Sequence, residues 1–136
     1  MKSKAKKKLI TIPKLKAKVQ KEFNRFIRER DKGHDCISCG NPIEEGEGQA
    51  GHFFGVKKFN WMRFREDNVH LECISCNAFN HESLIYYTIN IERKIGPKRF
   101  QYLVNASRNK QPEFTREELN ELLIKYGQMG KTKGNV

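Results

Sequence analysis

The sequence predicts a small α+β fold, in which a short β-hairpin lies between flanking N- and C-terminal helices. Three observations carry this expectation. Apolar residues recur at helical spacing before residue 31 and again after residue 80. Between these segments, an Asn-Pro pair, scattered glycines and short apolar runs read as loops and strands. Two Cys-x-x-Cys pairs bracket that middle stretch and contain all four cysteines of the chain. The 136 residues fit one domain, and 37% hydrophobic residues can form a core that would gain from a metal staple.

Residues 1–12 read as a disordered basic arm, 13–127 as a single domain and 128–136 as a flexible tail. Pro13 suits the first turn of a helix. Leu15, Val19, Phe23, Phe26 and Ile27 then share one face as far as about Asp31, with Lys14, Lys16, Lys18, Lys21, Arg25 and Arg28 on the other. Gly33 ends it. The runs 59–64 and 69–71 suggest the hairpin. If 68–72 is a strand, Asn68 and His70 share one side, while Val69 and Leu71 face the core. A further helix is expected with Leu84, Ile85, Ile89 and Ile91 or Ile95 inward, ending near Gly96. Pro97 opens the next, through Phe100, Leu103 and Val104. Thr115 and Glu118 form a capping box for the last, whose stripe is Leu119, Leu122, Leu123 and Tyr126, before Gly127.

The cysteines fall at Cys36, Cys39, Cys73 and Cys76, with 33 residues between the pairs. Two-residue spacing lets each knuckle point both thiolates at one tetrahedral centre about 2.3 Å away, the geometry of a structural zinc site. Four thiolates close the shell and leave no place for a reactive water. A cytosolic setting disfavours disulfides, a thioredoxin-type redox pair would not explain two copies on a small chain without a βαβ pattern, and an iron–sulfur cluster is left open by spacing alone.

The formal charge is +11, and residues 1–21 carry nine lysines and no acid. With no bulky apolar face or lipidation motif, the phosphate backbone is the partner this charge favours, and a membrane is not expected. Contacts are expected from Lys6, Lys7 and Lys8 of the arm, from Lys14, Lys18 and Arg25 of the first helix, and from Lys57, Lys58, Arg63 and Arg65 in the hairpin. Phe53, Phe54, Phe59 and Trp61 alternate with the hairpin charges, a pattern that suits base stacking but more often belongs to a core. No apolar run is long enough to cross a bilayer and no signal core follows the first lysines, so a soluble, intracellular protein is expected.

Three of the four histidines gather around the second cysteine pair: His52, His70 and His81. Asn77 directly follows the last cysteine, so a metal there would fix where Asn77 points. Taken in order, Phe26-Ile-Arg-Glu-Arg-Asp31, Cys36-Ile-Ser-Cys39-Gly40, Ala50-Gly-His52, Arg63-Phe64, Asn68-x-His70 and Cys73-x-x-Cys76-Asn77 resemble the phage NinG (Rap) recombination protein family. More broadly they resemble the HNH or ββα-metal nucleases in their zinc-stapled form. The resemblance covers roughly residues 14–126. It implies an HNH-like, treble-clef-like ββα core and a structure-selective endonuclease that cuts branched DNA, such as Holliday junctions and displacement loops, in the host cytoplasm.

Carried over by position, His52 matches the general base of that fold, and Asn77 matches a ligand of a catalytic Mg2+ or Mn2+ ion. The residue before His52 is often a further metal ligand in such nucleases but is Gly51 here. His70 is the first choice to replace it, with Asp67, Asn68 and His81 behind. Two alternatives stand beside this reading: a non-catalytic zinc-binding adaptor for DNA or RNA, and a restriction-type HNH nuclease that cuts linear duplex. Symmetric resolution of a junction would favour a homodimer.

Overall fold

The Thr11 hydroxyl caps the first helix by accepting from the Lys14 amide at 3.4 Å, and helix α1 then runs from Ile12 to Arg30. The computed structural model describes residues 9–79 and 81–132, the side chains of 79, 81 and 129–132 excepted. Most of the basic arm, including Lys6, Lys7 and Lys8, lies outside the described residues. Leu15, Val19, Phe23, Phe26 and Ile27 are buried, as their spacing predicts.

Strand β1 (Gln49–His52) pairs antiparallel with β2 (Val69–Glu72), matching Gln49 with Glu72, Ala50 with Leu71, Gly51 with His70 and His52 with Val69. The connection is not a tight hairpin turn, because residues 53–68 intervene and include two 3₁₀ turns, Asn60–Met62 and Glu66–Asn68. After β2 come α2 (Ile74–Phe79), α3 (Leu84–Ile95), α4 (Pro97–Arg108) and α5 (Arg116–Thr132). The capping box forms: the Glu118 amide donates to the Thr115 hydroxyl and the Thr115 amide to the Glu118 carboxylate, both at 3.1 Å. Gly127 does not end the helix, which continues to Thr132.

The β-pair is covered on both sides, so all four residues of β2 are buried. On one side, Ala50 and Val69 join Phe64, the buried stripe of α1, and Leu119 and Tyr126 of α5. On the other, Ile37, Met62, Tyr87, Ile91, Phe100 and Leu103 form a second core, lined by Phe53, Phe54, Phe59 and Trp61. These aromatics therefore pack against the core, half-buried, and Trp61 Nε1 donates to the Ala106 carbonyl at 2.8 Å.

The predicted face of α3 is a correction. Tyr87 and Ile91 point inward, whereas Leu84, Ile85 and Ile89 are 53%, 68% and 47% exposed. The helix phase is set by long-range polar contacts: the Tyr87 hydroxyl donates to the Gly51 carbonyl at 2.6 Å, and Lys94 reaches Asp31 at 2.7 Å.

Candidate metal centre and polar site

The first knuckle follows α1 after a short turn. The Gly40 amide donates to the Cys36 carbonyl at 2.9 Å and the Cys39 amide to Cys36 Sγ at 3.5 Å. Gly40 has φ 76°, where a side chain would clash with the backbone. The second knuckle repeats this at the entry to α2: the Asn77 amide bonds the Cys73 carbonyl at 3.0 Å and the Cys76 amide bonds Cys73 Sγ at 3.4 Å. The Cys73 amide donates to Cys36 Sγ at 3.3 Å and joins the two. All four sulfurs lie within 4.8 Å of one another, a set that can hold a metal ion such as zinc. Burial opposes ionisation of Cys36, but amide donors from Cys73, Cys39 and Ser38 outweigh it and hold the thiol below its usual range.

His52 ends β1 on the side that faces α1. Its Nε2 lies 3.0 Å from the Arg63 carbonyl, which can only accept, and 3.4 Å from the Gln20 side-chain nitrogen; the shorter contact favours the proton on Nε2 and leaves Nδ1 as the basic nitrogen. Arg63 is held in turn, donating from Nε to Gln20 at 3.0 Å and from Nη1 to Asn60 at 2.9 Å. Burial, the largest effect, lowers the pKa of His52, so the ring is neutral at pH 7.

His70 stands on the opposite side of the β-pair, because it is matched with Gly51 and not with His52. It is 1% exposed. Its Nε2 donates to the Asp67 carbonyl at 2.9 Å, and Nδ1 faces the Arg30 guanidinium at 3.2 Å. Burial and the neighbouring Lys94 charge push its pKa down to about 3. With both nitrogens engaged and no shared face, His70 is not brought together with His52 as the sequence reading expected. Asn68 is likewise structural: it accepts from the Phe54 amide at 2.9 Å and donates to the carbonyls of Phe54 and Met62. Asp67 holds Arg65 through two bonds of 3.1 and 2.8 Å, and the His81 side chain lies outside the described residues.

Asn77 is exposed, and its Nδ2 donates to Gln49 Oε1 at 2.7 Å. Gln49 is matched with Glu72, so Gln49, Gly51, His70 and Glu72 share one side of the pair, and Asn77 borders it. The expectation that His52 and Asn77 converge is therefore corrected to two sides of one ribbon. Sequence reasoning overlooked Glu72 and gave Asp31 no role beyond its place in a motif. Glu72 is 4% exposed, accepts from the Ser38 hydroxyl, and is held above the usual carboxylate range by burial, partly offset by that bond. Its signal in the sequence was an acid placed directly before a metal-binding pair.

Of the expected DNA contacts, Lys14, Lys18, Lys57 and Lys58 are exposed. Arg25 is paired with Glu22 at 3.2 Å. Arg63 and Arg65 are engaged by the internal partners described above, which leaves the lysines as the free cationic surface.

A family model described as Bacteriophage Lambda NinG protein matches residues 1–135. The chain is 32% identical over 116 residues to Protein ninG of Escherichia phage 933W, covering 85% of this chain and 56% of that protein. It is 31% identical over 116 residues to Protein ninG of Escherichia phage lambda, covering 85% and 55%. Against Protein ninG of Salmonella phage P22 the figures are 32% over 109 residues, 80% and 52%. The chain thus spans about half the length of the curated relatives it matches. No solved structure matches it.

Proposed function

The chain belongs to the NinG family of bacteriophage proteins, and from that membership together with the order of its central elements we propose that it is a divalent-metal-dependent endonuclease cutting branched DNA, such as Holliday junctions and displacement loops, in phage recombination. The observation that carries this is the run β1, β2, α2 beside the cysteine cluster, with His52 at the end of its first strand, which we read as an HNH-like ββα unit.

In this reading the cysteines bind a structural zinc ion with a closed shell, which does no chemistry. His52 acts as general base: Arg63 holds the proton on Nε2, and Nδ1 accepts one from the attacking water. Asn77 is anchored by its amide nitrogen to Gln49 and presents the oxygen end of the amide to a cation. Mg2+ or Mn2+, when bound, would supply positive charge to the phosphate oxygens. Lysines of α1 and of the 53–68 connection contact the backbone, which favours structure over sequence.

The test is cleavage of synthetic four-way and linear DNA with and without Mg2+ or Mn2+. His52→Ala should slow junction cleavage by roughly 10²- to 10⁴-fold, while junction binding stays within about twofold. Cleavage by this variant at the parent rate would overturn the role of His52. The adaptor reading is favoured by one observation, that His52 and Asn77 border opposite sides of the β-pair, and it predicts binding without any cleavage. Cutting of linear duplex at defined sequences would indicate the restriction-type enzyme instead.

A further inference from the structure

Gly51 has no side chain where the HNH resemblance expects a metal ligand, and that space is filled from the other strand. A Cβ built on Gly51 would lie 2.2 Å from Glu72 Oε1 and 2.9 Å from Glu72 Cβ. The φ of Gly51 is not in the left-handed region, so its backbone does not require glycine. What glycine provides is room for the Glu72 carboxylate.

Glu72 is 4% exposed, yet among the described residues it makes no ion pair, and its Oε2 accepts from the Ser38 hydroxyl. A buried carboxylate without a countercharge is costly unless it takes up a proton or a cation reaches it. One oxygen-bearing amide adjoins it and a second lies next in line: Gln49 is its matched partner across the strands, with side chains of such pairs about 5 Å apart, and Gln49 accepts from Asn77 at 2.7 Å. Carboxylate and amide oxygens are the donors that hard divalent cations take.

We infer that Glu72 is a cation ligand: its Oε1 and the Asn77 side-chain oxygen hold one Mg2+ or Mn2+ ion on the Gly51 side of the β-pair, the strand partner supplying the carboxylate that residue 51 does not. This rests on the nuclease reading for its purpose but not for its test. The placement puts the cation ligands on the side of the β-pair opposite His52.

The test is Mn2+ binding to the zinc-loaded full chain, measured by loss of the free Mn2+ paramagnetic resonance signal. The parent should bind one Mn2+, and Glu72→Gln, which keeps the shape and the Ser38 contact, should bind at least tenfold more weakly with unchanged zinc content. A second variant guards against a folding defect: Glu72→Gly combined with Gly51→Asp removes both the Glu72 carboxylate and its Cβ, returns a carboxylate to the same space and should recover binding. Parent-like binding by Glu72→Gln, or no Mn2+ binding by the parent, overturns the assignment. If the parent binds Mn2+ through Glu72 yet cuts no DNA, the site stands and the nuclease reading fails. If the parent cuts DNA and Glu72→Gln binds Mn2+ unchanged, the reverse holds.

Discussion

Replacing Asp31 by alanine tests what positions the β-pair against the helices. Asp31 is 1% exposed and accepts from Arg30 Nε and Nη2 at 2.8 and 2.9 Å, from Lys94 Nζ at 2.7 Å and from the Leu71 amide at 3.0 Å. The charged donors keep its pKa well below the carboxylate range despite burial, which opposes ionisation. Asp31→Ala strands the buried Leu71 amide, at about 1–3 kcal/mol. It also leaves Arg30 and Lys94 facing each other, and removing one partner of a buried ionic network costs about 3–5 kcal/mol in all. At roughly 3 °C per kcal/mol for a chain of this size, the melting temperature should fall by about 10–15 °C. Lys94→Met keeps the stem packing and the Arg30 pair, so it should cost only about 1–2 kcal/mol. Urea denaturation followed by circular dichroism, at pH 7 and fixed saturating zinc, measures both. A loss below about 1 kcal/mol for Asp31→Ala, or equal losses for the two variants, would refute the view of Asp31 as the hub.

Two further outcomes follow from the same groups. His70 is buried neutral with a folded-state pKa of about 3, against about 6.5 unfolded. Below pH 6.5 the unfolded chain takes up a proton that the native state refuses, so stability is full above that pH and declines toward pH 3 by up to about 1.4 kcal/mol per unit. His70→Gln should flatten that slope in denaturation curves between pH 6.5 and 5; an unchanged slope would assign it to other groups. Cys36→Ser should lower zinc content measured by element-sensitive spectroscopy from one ion per chain to near zero. It should also lower stability, because a structural metal contributes binding free energy to folding; full zinc content in the variant would dismiss the four-cysteine site.

The cysteine cluster was legible because a knuckle is local: two thiols two residues apart can meet one ion whatever lies between the pairs. The first helix was legible for a similar reason, its apolar stripe being interrupted by lysines on every other side. In α3 that contrast is missing, since Leu84, Ile85, Tyr86, Tyr87, Ile89 and Ile91 are apolar almost all round. Its phase was decided instead by Tyr87 reaching the Gly51 carbonyl, which no periodicity records. The polar site failed in the same way. His70 sits where alternation put it, but Asn68 lies in a 3₁₀ turn, and the second core covers the face that was expected to be open. Glu72 and Asp31 find their partners Ser38 and Leu71 34 and 40 residues away.

The closeness of these long-range contacts couples them. Cys36 meets Cys73, and five residues upstream Asp31 meets Leu71, so the two closures span loops of nearly the same length. Once either forms, the partners of the other are held at a high effective concentration, and its remaining loop entropy is small. Such coupling is reciprocal: whatever zinc adds to the strength of the Asp31 contacts, those contacts add to the affinity for zinc. Zinc affinity thus reads out the packing of α1 against β2, and an Asp31 variant should release the ion at lower chelator concentration although Asp31 is no ligand.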